Sequence, residues 1–288
     1  MKSYVIYTDS ACDISPAILD EWGVKSSALT FRFSDSDKEY SNYEMDACEF
    51  YDRMKKGAVA KTSAVNPQSF KNAWRPLLEA GEDILYLGFS SGLSTTCASA
   101  RIAADELAAE YPDRRIIVID TLAASAGEGL LVYLVNEKKK AGADIEEAAE
   151  YARYLVPRMG IWFTVDDLVY LKRGGRISPA AAFVGNMLGI KPVLYMDDAG
   201  HLISRAKVRG RRSAIMALAE KYGELSDKNG PGVAFISHGS CDADADLLRR
   251  TLEEKYGAKV LIITDVGPVI GAHSGPGTLA LFYVSERR

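Results

Sequence analysis

The sequence is poor in the residues that build metal centres and disulfide frameworks. It has 4 cysteines and 3 histidines in 288 residues. Cys12, Cys48, Cys97 and Cys241 form no C-x-x-C pair, so neither a zinc site nor a disulfide scaffold is expected. His201, His238 and His273 lie far apart in the chain, which argues against a histidine metal centre. Long apolar runs are also missing: no window approaches the roughly 20 residues of a membrane span. The opening MKSYVIYTDS has too short an apolar run for a signal peptide, so the expectation is a cytoplasmic protein without stable membrane insertion. A net charge of −4 gives no general attraction to nucleic acid, and none is expected as a partner.

Hydrophobic content of 48% and charged content of 26%, without low-complexity tracts, describe an ordered chain. Its length suits two domains. Strand and helix signals alternate through the first half. YVIYT (4–8) reads as a strand, and SPAILDEWG (15–23) as a helix with Ser15 as cap and Pro16 in the first position. Helices follow at 45–57 and 66–81, the latter capped by Asn66, then strand 84–89, helix 95–110, strand 115–120 and helices 125–142 and 144–156. This rhythm predicts an α/β fold with an N-terminal, doubly wound parallel-sheet domain over 1–157. From 158 to 288, strand-like stretches such as GIWFTV, GVAFISH and TLALFYVS dominate, broken by helices near 211–226 and 241–256. A C-terminal mixed-sheet α/β domain fits them.

GFSSGLSTTCASA (88–100) joins a buried strand to a helix through a Gly/Ser turn. Free backbone N–H groups and the positive helix end suit an anion there, and Ser94, Thr95 and Thr96 add hydroxyl donors. One of these hydroxyls also serves as an ordinary helix cap in the plainer reading. Thr8-Asp9-Ser10, Gly88 to Ser94 and Asp120-Thr121 would share the carboxyl edge of the parallel sheet. Asp9 and Asp13 have no further acidic partners for magnesium and read as turn residues or supports of the Ser94 loop. LKRGGRIS lacks the Walker frame; it reads as a solvated turn or as a loop whose Arg173 serves a transition state or a docked partner, with Arg176 structural. Arg205, Lys207, Arg209, Arg211 and Arg212 read as a solvated face, with an electrostatic docking surface as the sharper alternative.

Six stretches in order, YTDSACD, KTSAVNP, SSGLSTTCASA, LVYLKRGGRIS, LGIKPVLYMDDAG and HSGPGTLALFY, resemble the motif series of the DegV family over residues 4–283. These are bacterial fatty-acid-binding proteins that serve as the FakB component of fatty acid kinase. The resemblance implies a carrier that is not itself an enzyme. One long-chain fatty acid lies in an apolar tunnel between two domains, and no other cofactor is needed. A partner kinase subunit phosphorylates the carboxylate, and an acyltransferase takes the acyl phosphate. By the same resemblance the hydroxyls of Thr62 and Ser94 and the N–H of Thr95 cradle the carboxylate. His273 and Gly275 lie close by from the other domain, and Arg173 matches the arginine of the phosphotransfer step. Thr95 stands where many relatives have Gly.

The chemistry is coherent without the family. Hydroxyls and a helix N-terminus satisfy a carboxylate while leaving one oxygen free to attack ATP. At about 0.8 kcal/mol per methylene, a tail of roughly C14–C18 outweighs a charge-assisted bond of about 1.5–3 kcal/mol. AAAFVGNMLGIKPVLYM (180–196) is the candidate tunnel wall, with Phe183, Met187 and Leu188 at helical spacing, although plain core packing explains the same pattern. The competing function is a serine-dependent hydrolase or acyltransferase using Ser94. It is disfavoured because the junction is not G-x-S-x-G and no histidine sits in a recognised motif.

Overall fold

The computed structural model describes residues 3–178 and 189–288. In chain order the first half runs β1 Tyr4–Asp9, α1 Pro16–Trp22, β2 Lys25–Ser27, β3 Thr30–Phe33, β4 Glu39–Ser41, α2 Ala47–Lys55 and β5 Ala60–Ser63. It continues through α3 Pro67–Glu79, β6 Asp83–Gly88, α4 Thr96–Glu110, β7 Ile116–Asp120, α5 Ala126–Lys140 and α6 Ile145–Leu155. The second half adds β8 Met159–Thr164, α7 Val169–Arg173, β9 Ile190–Met196, β10 Leu202–Arg209 and α8 Arg211–Leu225. Then come β11 Val233–His238, α9 Asp242–Tyr256, β12 Lys259–Asp265, α10 Pro268–Ser274 and β13 Leu279–Val284. Local chemistry sets the helix starts. Asn66 Oδ1 accepts from Ser69 N at 2.9 Å with Pro67 in the first turn, and Asp144 and Glu147 form a reciprocal capping box at α6.

Four parallel strands lie in the order β2-β1-β6-β7. The order reverses between β1 and β6, so the crevice at their carboxyl ends is the switch point where doubly wound sheets bind ligands. Helices α3 and α4 pack as one pair and α5 and α6 as another, as the strand and helix rhythm predicts. The second sheet is mixed and six-stranded, β10-β9-β8-β13-β11-β12; β11 and β12 are parallel and the other pairs antiparallel.

Helix α5 joins the two sheets. It contacts β1 and β6 of the parallel sheet and β8, β11 and β13 of the mixed one. That position explains why residues 126–132 are buried on every side of the helix rather than along one stripe. Two glycines make the close approach possible: a Cβ on Gly127 would lie 2.6 Å from Phe282 Cδ1, and one on Gly129 2.6 Å from Ile14 Cγ1. One hydrophobic core cluster spans both sheets, from Ile6 and Leu85 through Leu130 to Phe235 and Phe282, and a second gathers around Leu218, Leu248 and Tyr283.

A third sheet, β4-β3-β5, is antiparallel and small. It is absent from the strand pattern expected from sequence, yet it carries Thr62, which pairs with Phe31 across β3 and β5. Phe31 and Phe33 bury one face of this sheet against Phe50.

Candidate functional site

The loop after β6 is tied down by two carboxylates at the switch point, the buried Asp9 and the half-buried Asp120. Asp9, at the end of β1, accepts at Oδ2 from Phe89 N (3.0 Å) and Tyr86 OH (2.6 Å), and at Oδ1 from Ala11 N (3.0 Å). Burial pushes the Asp9 carboxyl up, and these three donors oppose the push. Asp120 Oδ1, at the end of β7, accepts from Ser91 N at 3.2 Å and Leu122 N at 3.0 Å. The polar ends of β1, β6 and β7 therefore converge, and Asp9 supports the Ser94 loop.

At the start of α4, Ser94 Oγ accepts from Thr96 N at 3.2 Å and lies 2.9 Å from Thr96 Oγ1. Ser94 is thus the capping hydroxyl. Thr95 makes no cap bond; at φ −82°, ψ 0° its backbone is in a region open to any residue, so glycine is not required there. The loop is also held from the second half of the chain. Ser90 Oγ donates to Gly200 O at 3.0 Å, and a Cβ on Gly92 would stand 2.6 Å from the same oxygen. Glycine at 92 lets the β9–β10 hairpin press on the loop.

Helix α10 brings His273 to Thr62, with Nε2 and Oγ1 2.8 Å apart. The other ring nitrogen, Nδ1, is buried without a partner among the described residues. A Cβ on Gly174 would lie 2.2 Å from it. Burial, reinforced by the Arg176 guanidinium, pushes His273 down to about 4, so the ring is neutral at physiological pH. With no acceptor at Nδ1, the single ring proton is best placed on Nε2, donating to Thr62 and leaving the Thr62 hydroxyl proton free for a ligand. Arg176 donates from Nε to Leu93 O at 3.1 Å and from Nη1 to Gly174 O at 2.5 Å. Thr62, His273, Arg176 and the Ser94 turn are thereby linked into one polar cluster.

This cluster opens on a cavity of about 480 Å³, within the range of about 300–1,000 Å³ for small-molecule sites. Thr62, Ser94, Thr95 and His273 line it, and so does Arg176, which sequence reading treated as structural. Gly275 follows α10 at φ +81°, where Tyr170 fills the space a Cβ would need, and it is not among the lining residues. Arg173 also stands outside, exposed at the end of α7 with its guanidinium 5.5 Å from the Tyr170 ring. Apolar walls come from Leu29 and Phe89 of the first half and from Ile161, Phe163, Met196, Val266 and Phe282 of the second. Met196 falls within the 180–196 stretch expected as tunnel wall; the others were missed, and the signal for part of them was the period-2 alternation of Ile161 with Phe163 and of Ala280 with Phe282, which puts each pair on one sheet face. Phe183, Met187 and Leu188 lie outside the described residues.

Among the described residues Ser94 has no paired base: His273 Nε2 bonds Thr62 instead. Among the described residues no group of three His, Cys, Asp or Glu side chains could hold a metal ion, and no helix is long and apolar enough to cross a membrane. The family model described as "Uncharacterised protein, DegV family" matches residues 3–286. The chain belongs to the DegV family. A DegV domain-containing protein of Clostridium perfringens is 38% identical over 289 residues, covering 100% of this chain and 99% of its own. Among solved DegV relatives, a lipid-binding protein from Thermotoga maritima superposes with a TM-score of 0.84 at 30% identity, covering 99% of each chain. A stearic acid-binding protein from Eubacterium ventriosum gives 0.88 at 26% identity, covering 98% of each.

Proposed function

We propose that this DegV protein is a carrier of one long-chain fatty acid, roughly C14–C18, and that the cavity between its two sheets is the binding site. One observation carries the reading: a cavity with apolar walls begins at a cluster of hydroxyls, a neutral histidine and an arginine. Solved relatives that bind lipid and stearic acid support it. In this reading the domains divide at 157/158. The carboxylate accepts from the Thr62 and Ser94 hydroxyls and the Thr95 N–H, with His273 beside it; Arg176 adds a fixed positive charge at the cavity wall.

The chain presents this carboxylate to the catalytic subunit of a fatty acid kinase, and the acyl phosphate passes to an acyltransferase. Catalysis belongs to the partner. Arg173, exposed on α7, is placed to meet a docked protein rather than the ligand. The Ser94 geometry favours binding over nucleophilic attack, because no base stands ready to take its proton.

Native mass spectrometry of freshly purified protein tests the reading. A single noncovalent adduct with the mass of a fatty acid is expected. An empty protein that also refuses added oleate and palmitate would refute it, and a covalent acyl group on Ser94 would favour the hydrolase.

A further inference from the structure

The cavity wall carries a second polar group away from the Thr62, His273 and Arg176 cluster. Ser125, just before α5, and Ser237, on β11, both line the cavity. They are 5% and 0% exposed, and their hydroxyl oxygens are 2.9 Å apart. Ser125 Oγ donates to Asp13 Oδ2 at 2.5 Å, while Asp13 Oδ1 is buried with no partner among the described residues. The arrangement is built rather than incidental. Ser125 sits at φ +53°, ψ −150°, an unfavourable conformation for a residue with a Cβ, and Thr264 Oγ1 fixes the Asp13 carbonyl at 2.9 Å.

A purely hydrocarbon tail gives nothing to a buried hydroxyl, and a polar group facing it unpaired is a cost. Among the described residues the hydrogen bonds of the pair run along the Asp13, Ser125, Ser237 line, which leaves Ser237 able to make one more bond toward the cavity. Ser274, another lining residue, is 5% exposed and its hydroxyl has no partner among the described residues, so the polar capacity of the cavity is not used up within the protein.

We propose that Ser125 and Ser237 form a second polar station, which takes a hydroxyl carried part-way along the acyl chain, so that hydroxylated fatty acids belong to the ligand class. This rests on the fatty-acid reading above and narrows it. A hydroxyl both donates and accepts, so it completes Ser237 whichever way the protons of the Asp13, Ser125, Ser237 line run. Elsewhere along the apolar wall the same hydroxyl is buried unpaired and weakens binding.

The test is competitive displacement from lipid-stripped protein by stearate and by hydroxystearates substituted at successive carbons. One narrow range of positions should bind about three- to tenfold tighter than stearate, and the others no tighter. Ser237→Ala, which leaves the bond between Ser125 and Asp13 in place, should remove that gain while stearate binds at least as tightly as before. No favoured position, or a preference that survives Ser237→Ala, overturns the inference while stearate binding upholds the carrier reading. Failure of stearate and every hydroxystearate to bind overturns both. If Ser237→Ala does not fold, the positional series on the unaltered chain decides alone.

Discussion

His273→Gln should flatten part of the acid limb of the stability curve. In the folded protein burial and the Arg176 charge push His273 down to about 4. The unfolded chain takes up the proton near its ordinary value of about 6.5. Between these limits the unfolded state binds more protons, so the histidine makes the fold less stable as pH falls from about 6.5 to about 4 and contributes no slope above or below that window. The span is about 2.5 units at about 1.36 kcal/mol each, which sets an upper limit near 3 kcal/mol. Glutamine retains a donor for Thr62 but does not titrate. Urea denaturation of both proteins, in steps from about pH 7 to about pH 4, isolates the effect, because all other titrations cancel in the difference. The two curves should run parallel above about pH 6.5 and diverge below it, the variant losing less stability. Parallel curves through the whole range would show that the ring is not held neutral against Thr62 and Gly174, and the assigned proton position would fall with it.

Much of the fold was legible because it rests on local signals. Pro16, Asn66 and Pro67 mark helix starts that the structure keeps within a residue, and the strand and helix alternation gives the parallel sheet. The small antiparallel sheet was not legible as such: Thr30–Phe33 is four residues long, and its alternation is decisive only once Phe50 is known to cover Phe31 and Phe33. The strand, Gly/Ser turn and helix that place Ser94 at the cavity could be read from the sequence, whereas most of the apolar wall could not. Ile161, Met196 and Phe282 come from three strands and Val266 from just after β12, and although alternation puts Ile161 with Phe163 on one face, it does not tell a cavity lining from ordinary core. Arg176 was read as structural and does bond two backbone carbonyls, but its place at the cavity wall was not legible for a similar reason. Its role follows from Leu93 O, a partner 83 residues away.

Gly174→Ala should displace the His273 ring, since the new methyl would lie 2.2 Å from Nδ1; a loss of about 1–3 kcal/mol is expected in denaturation. An unchanged stability and an intact acid limb would contradict the close packing. Asp13→Asn tests the opposite sign of linkage. Burial raises this carboxyl to about 8, so relative to an unfolded chain titrating at 3.8 the folded state loses stability as pH climbs between those values. Asparagine tolerates the φ of +51° at this position and never ionises. The variant should match the parent near about pH 4 and exceed it by up to about 6 kcal/mol above about pH 8, read from denaturation midpoints; a constant difference would show that Asp13 titrates in the fold as it does in the unfolded chain. Thr62→Val separates the two ends of the proposed ligand. It removes the hydroxyl that bridges His273 and the carboxylate while keeping shape. The lost charge-assisted bond is about 1.5–3 kcal/mol, against roughly 12 kcal/mol of gross burial for about fifteen methylenes. Purified Thr62→Val should therefore still carry lipid in native mass spectra, yet form acyl phosphate at least about tenfold more slowly with the partner kinase, because the tail retains the ligand and the hydroxyl aims its head. Lipid-free protein, or phosphorylation at the normal rate, would show that retention and presentation are not divided between tail and head in this way.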